Sequence, residues 1–175
     1  MSTCETNLTL HHSAHTKTHD TGDGFYNPKM TLGRDLAVLA AATHGDNLTS
    51  SPTARPYRLL DAFSGVGALA LRWAASLSTS RTTHITANDR AETCQKYIRT
   101  NITANDTTTA HPICVTGHDV NVLLSEDAVT PDQRPFDFIH LDPFGCVVPY
   151  LDSAFRCLPN GSILSFTSTD IGPLC

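Results

Sequence analysis

Four apolar runs in this chain, YRLLD, HITAND, HPICVTGHD and FDFIHLD, each close on an aspartate: Asp61, Asp89, Asp119 and Asp142. Helical spacing follows the first run in ALALRWAASL and the second in RAETCQKYIRTNI. PYLDSAFRCL has the character of a further crossover helix and leads into a fifth apolar run, GSILSFTST. Strands that alternate with helices at this interval specify a parallel sheet covered on both faces, so the predicted fold class is α/β, doubly wound. Crossovers in such sheets are right-handed, and ligands collect at the carboxyl ends of the strands. One aspartate at a strand end is an ordinary turn residue or helix N-cap. Four in succession are harder to assign to turn chemistry and point to a lined crevice.

The remaining composition narrows the class. At 175 residues the chain is long enough for one domain with a real core. A formal charge of −5 argues against a dedicated nucleic-acid-binding module, which carries a basic patch. The six cysteines include no Cys-x-x-Cys pair, which excludes a zinc knuckle and favours reduced thiols. No apolar run suits a signal peptide or a membrane span, so the expected compartment is nucleus or cytosol. Residues 1–24 are polar, rich in Thr and His, and read as a flexible tail, with the domain over 25–175. His11, His15 and His19 would share a helical face, yet no helix pattern supports one, and no metal is expected. LGRDLAVLAAA, residues 32–42, reads as a helix with Leu32, Leu36, Leu39 and Ala40 inward, and THGDNLTSSPTARP as a loop.

The first strand runs into DAFSGVGALA. Gly65 and Gly67 permit a sharp turn and a close ligand approach where the next helix begins. Ala70 stands where a dinucleotide fingerprint has its third glycine, and the Lys-Ser/Thr of a phosphate loop is absent. An acid beside a two-glycine turn suits the cationic amino-acid end of a ligand. Asp89, 22 residues after Gly67, suits a ribose hydroxyl pair. Together these favour S-adenosylmethionine, with NAD as the alternative.

LDPFG, residues 141–145, then has a chemical reading. Asp142 can accept a hydrogen bond from an exocyclic amine, Pro143 cannot donate one, Phe144 can stack on a base, and Gly145 allows close approach. A strand followed by a turn is the plainer account of the same residues. The motifs FYNP…RDL, DAFSGVG, AND, HDV, DPFG…YLDSAF and TSTD stand in the order found in the tRNA guanine-26 N2-dimethyltransferase family. FDFIHLDPFG, YLDSAF and TSTDI are most similar to its metazoan tRNA methyltransferase 1-like branch.

The resemblance covers roughly residues 25–175. It implies a Rossmann-like class I S-adenosylmethionine-dependent methyltransferase fold and transfer of methyl to the amine of a guanosine in tRNA. It further implies that Arg34 meets the methionine end of the cofactor, and that Asp61, Phe63, Gly65 and Gly67 floor its pocket. Asp89 would bind the ribose, Asp119 and Val120 would frame the adenine, and Asp142, Pro143 and Phe144 would form the target-base site. Gly33 departs from the family's usual Asn, and Leu69 replaces a basic residue. The familiar continuation after TSTD is absent, so the resemblance implies a fold cut short after its fifth strand, without the C-terminal tRNA-binding domain. Two alternatives remain at this level: a family member without turnover, and an amine methyltransferase acting on protein or DNA. Arg90, Lys96 and Arg99 share part of one helix face and read as solvated rather than RNA-bound.

Overall fold

The computed structural model describes residues 1–13, 24–48, 55–78, 82–105, 111–128, 136–170 and 172. Five parallel strands form the main sheet: β3 (Tyr57–Asp61), β4 (Thr83–Asn88), β5 (Ile113–Thr116), β6 (Phe138–Leu141) and β7 (Ile163–Phe166). Their order is β5-β4-β3-β6-β7, so the chain reverses its direction of winding between β3 and β6. Such a reversal splays the flanking loops and opens a crevice at the carboxyl ends.

Side-chain alternation decides what packs on each face. Leu59, Ile85, Ala87 and Phe138 meet α1 (Thr31–Leu48), α2 (Ala68–Ser76) and α3 (Glu92–Asn105), with Trp73 fully buried and edge-on to Phe138. Leu60, Ile139 and Leu141 point the other way, onto α4 (Val120–Ala128) and α5 (Val148–Cys157) through Leu124 and Ala154. Central position explains why β6 is buried on both faces, whereas β7 at the edge is not. The α4 side of β4 and β5 is less well covered. A groove of about 430 Å3 opens there between Arg58, Thr86, Cys114, Leu123 and Phe136, among others, and includes none of the four strand-end aspartates.

Three sequence expectations change. Residues 2–11 are not a flexible tail: β1 (Ser2–Glu5) and β2 (Leu8–His11) form an antiparallel hairpin. Thr6 and Asn7 both take positive φ, as a two-residue primed turn requires. Leu8 and Leu10 pack against Tyr26, Val66, Ala68 and Leu71. The side-chain amides of Asn101 and Asn105 on α3 bond both the N–H and the carbonyl of His11 and Thr9, substituting for a neighbouring strand. His11 therefore lies on a strand, while His15 and His19 fall outside the described residues. Among the described residues no cluster of three metal-ligating side chains occurs, and no helix is long and apolar enough to cross a membrane.

The first helix differs in both extent and orientation. α1 runs on to Leu48, through six residues expected as loop. Gly45 allows the close approach, because a Cβ there would stand 3.2 Å from the Tyr57 ring. Leu32, Leu36 and Leu39 face solvent, and Ala37 and Ala41 face the core, with Ala40 partly buried against it. Small residues win the inner face because the helix lies close on the indole of Trp73 and the ring of Tyr57, which donate to the carbonyls of Ala37 and Ala41. The third difference is α4, which the sequence reading left unassigned. Asp119 caps it, its Oδ1 accepting from the N–H groups of Asn121 at 2.9 Å and Val122 at 3.4 Å.

Candidate active site

The parallel register brings the strand-end acids together. Asp61 is 2% exposed and pairs in register with His140 on β6. Its Oδ2 accepts from Ser64 Oγ at 2.8 Å. Burial pushes the Asp61 carboxyl up to about 7, the Ser64 hydroxyl opposes this, and the nearby charge of Asp142 adds to it. No cation pairs with Asp61 among the described residues. A buried carboxylate without a countercharge at a crevice mouth fits a ligand that brings its own positive charge.

The turn after β3 is held from both sides. Ser64 N–H donates to the carbonyl of Asn88, and Gly65 N–H donates to Asp89 Oδ2 at 2.9 Å. Gly65 and Gly67 adopt φ of +55° and +85°. A Cβ on Gly67 would also press on Ile98 at 3.2 Å, so the position excludes side chains by conformation and by contact. Asp89 Oδ1 accepts from Ala91 N–H at 2.9 Å. Burial raises the Asp89 carboxyl, and the two backbone donors offset part of that rise. The Cys94 side chain adds a third hydrogen bond to the same carboxyl. Behind the turn, Asn88 is fully buried and ties the strand ends together through Ala62, Thr116 and His118.

On the neighbouring strand, Thr167 Oγ1 donates to Asp142 Oδ1, and no partner for Oδ2 occurs among the described residues. Pro143 is buried, whereas Phe144 is 68% exposed. Gly145, at φ +88°, donates to Thr169 Oγ1 at 3.1 Å, and its carbonyl accepts from Ser168 Oγ at 3.1 Å. Residues 167–169 thus brace the loop that carries Asp142 and Phe144. Above it, the Phe25 ring stands 6.0 Å from the Phe144 ring, and the Phe25 carbonyl lies 3.5 Å from where a Gly65 Cβ would be. Phe25 therefore joins the glycine turn to the aspartate loop.

Other expected residues are less direct. Phe63 packs edge-on to Tyr150 at 4.9 Å, against the core on the α4 and α5 side. Asp119 caps α4 and lies 3.8 Å from Arg90, and Val120 is buried at the first turn of that helix. Arg34 is engaged by Glu5 of the hairpin. Sequence reasoning missed Phe25, Ser64, Thr167 and Glu5 as site residues. It also missed His140, whose ring bonds Ser165 Oγ at 3.0 Å. Burial holds that imidazole down to about 4, so it is neutral beside Asp61.

The sheet order and the Gly-turn site are those of class I S-adenosylmethionine-dependent methyltransferase folds. Solved structures of that fold agree, including an O-methyltransferase from Bacillus cereus in complex with SAH. It aligns with a TM-score of 0.57 and 18% identity over 81% of this chain and 56% of its own. A methyltransferase from Geobacter sulfurreducens aligns with a TM-score of 0.53 and 18% identity over 75% and 60%. Within that class, the chain belongs to the N2,N2-dimethylguanosine tRNA methyltransferase family, whose profile matches residues 6–175. It is 37% identical over 170 residues to the rat tRNA (guanine(27)-N(2))-dimethyltransferase, covering 87% of this chain. It is 32% identical over 151 residues to the tRNA (guanine(26)-N(2))-dimethyltransferase of Methanopyrus kandleri, covering 86% of this chain and 34% of that protein. The chain spans about a fifth (21%) of the length of the rat relative.

Proposed function

We propose that this chain binds S-adenosylmethionine and presents the exocyclic amine of a tRNA guanosine to it, as the catalytic part of a guanosine-N2 methyltransferase. The observation that carries the reading is the juxtaposition of two carboxylates without a countercharge among the described residues, at the carboxyl ends of the adjacent central strands β3 and β6. Among the described residues Asp61 is buried without a cation, and Asp142 has one oxygen held by Thr167 and no partner on the other. Asp61, Gly65 and Gly67 would hold the amino-acid end of the cofactor, and Asp89 its ribose hydroxyls. Val120, with Asp119 at the neighbouring strand end, would frame the adenine. When bound, the cofactor supplies an electrophilic methyl on a positively charged sulfur.

The chain's own residues do the rest. Asp142 Oδ2 accepts one N–H of the amine, fixing the nitrogen's direction, and takes the proton displaced when the N–C bond forms. Thr167 keeps that carboxylate from turning away. Pro143, lacking an N–H, leaves no competing donor, and Phe144 with Phe25 offers aromatic surface to the base plane. The scattered cysteines, with no Cys-x-x-Cys pair, are in keeping with a nuclear or cytosolic setting.

The test is transfer of labelled methyl from S-adenosylmethionine to tRNA, followed by nucleoside analysis. Methylated guanosine from the wild type, lost in Asp142→Asn, is the expected result. Label in protein or DNA instead would move the reading to another amine. Cofactor binding with no methylated product would leave a binding protein without turnover.

A further inference from the structure

The N-terminal hairpin delivers one carboxylate into the protein. Glu5 is 5% exposed and has four donors. Arg34 Nε reaches Oε1 at 2.8 Å and Arg34 Nη2 reaches Oε2 at 2.7 Å, a two-point clamp. Arg72 Nη1 donates to Oε1 at 3.1 Å, and the Tyr26 hydroxyl donates to Oε2. Burial alone would raise the Glu5 carboxyl, but the Arg34 and Tyr26 hydrogen bonds and the two guanidinium charges hold it below the usual carboxylate range. The fold thus favours its anionic form.

The consequence falls on Arg34. Its Nη2 also donates to the Asn27 carbonyl at 3.1 Å, and its plane lies over the Tyr26 ring with the carbon 5.1 Å from the centroid. One edge of the guanidinium is thus saturated and its plane is fixed. Nη1 has no partner among the described residues, nor is it a buried orphan. The side chain is 11% exposed, so Nη1 is the part left open. The same segment leads to the site: Phe25, two residues before Asn27, touches the glycine turn and the Phe144 ring. The Arg34 charge is felt at His140, the register partner of Asp61.

We propose that Glu5 is a positioning residue, which turns Arg34 so that Nη1 meets the carboxylate of the cofactor's amino-acid end. This rests on the reading of the pocket as a S-adenosylmethionine site. Charge and geometry give opposite expectations here. Removing the Glu5 charge leaves Arg34 more strongly positive toward an anion, so an electrostatic role predicts tighter binding in Glu5→Gln. Loss of the two-point clamp frees the guanidinium to rotate, so a positioning role predicts weaker binding.

The experiment is calorimetric titration of wild type and Glu5→Gln with two probes. One is S-adenosylhomocysteine, and the other is its decarboxylated analogue, S-adenosyl-3-thiopropylamine. Glu5→Gln is expected to lose about tenfold in affinity for S-adenosylhomocysteine, and less than about twofold for the analogue. Equal losses for both probes would reduce Glu5 to a structural brace and overturn the proposal, as would unchanged or tighter binding of S-adenosylhomocysteine. If the wild type binds both probes equally well, the pocket reading stands and the positioning role falls. If the wild type binds neither, both fall. Should Glu5→Gln fail to fold, the charge-balanced pair Glu5→Gln with Arg72→Gln carries the same comparison.

Discussion

Asp61→Asn should make the protein more stable at alkaline pH and nearly abolish cofactor binding. The wild-type carboxyl is raised from an ordinary 3.8 to about 7. Between those values the folded state holds a proton that the unfolded chain has released, so stability falls as pH rises from about 4 to about 7. A difference of about three pH units corresponds to about 4 kcal/mol of stability lost by pH 8. Asparagine does not ionise and escapes that penalty. It can accept from Ser64, but one acceptor is lost toward the Ala70 N–H, at about 1 kcal/mol.

The net expectation is a gain of about 3 kcal/mol at pH 8, or roughly 6–12 °C in Tm for a chain of this size, and a loss of about 1 kcal/mol at pH 4. The two stability curves should therefore cross. In the wild type, binding of a cationic cofactor requires the ionised carboxylate, so affinity should fall about tenfold per pH unit below 7, with one proton released on binding. Asp61→Asn should lose affinity about 100-fold and lose that proton linkage. Urea denaturation at pH 4, 6 and 8, together with calorimetry of S-adenosylhomocysteine in buffers of different ionisation enthalpy, reads all three quantities. A variant less stable than wild type at pH 8, or one with the wild-type pH slope, would refute the reasoning.

Thr167→Val should lower turnover about tenfold and leave S-adenosylhomocysteine affinity unchanged, because it frees Asp142 to rotate without touching the glycine turn; single-turnover methylation separates the two. Phe144→Ala removes an exposed ring, so denaturant stability should stay within about 0.5 kcal/mol, while RNA methylation falls by the roughly 5- to 150-fold that about 1–3 kcal/mol of base stacking represents. Gly67→Ala meets both a positive φ and Ile98 and should destabilise the fold by about 1–3 kcal/mol, with thermal unfolding as the measure. Leu10→Ala, at a fully buried hairpin position, should cost about 2–5 kcal/mol, an effect that a disordered tail could not show.

Residues whose role follows from local backbone position were legible early. Asp61, Asp89 and Asp142 end strands, and any parallel sheet places strand ends side by side. Asp119 closes the third apolar run in the same way, but β5 stops at Thr116 and the Asp119 carboxylate is spent on capping α4; no periodicity distinguishes those two uses. Phe25, Thr167 and Glu5 lie far along the chain from the groups they touch. Glu5 reaches Arg72 across 67 residues, and such a contact has no local signature. Leucines at helical spacing on α1 suggested a buried stripe, but the inner face was decided by how closely the helix could lie on Trp73 and Tyr57.

By itself, then, the sequence determined the α/β class, the alternation of elements, the two-glycine turn and the aspartate-proline-phenylalanine-glycine loop, because each rests on short-range periodicity or backbone chemistry. Only the tertiary structure decided that the first eleven residues form a hairpin, since Asn101 and Asn105 supply the bonds its edge would otherwise lack. It alone decided that no described residue supplies a countercharge to Asp61 and that Arg34 is clamped by Glu5. Desolvation and ion pairing depend on everything within a few ångströms, and that neighbourhood exists only once the chain has closed on itself.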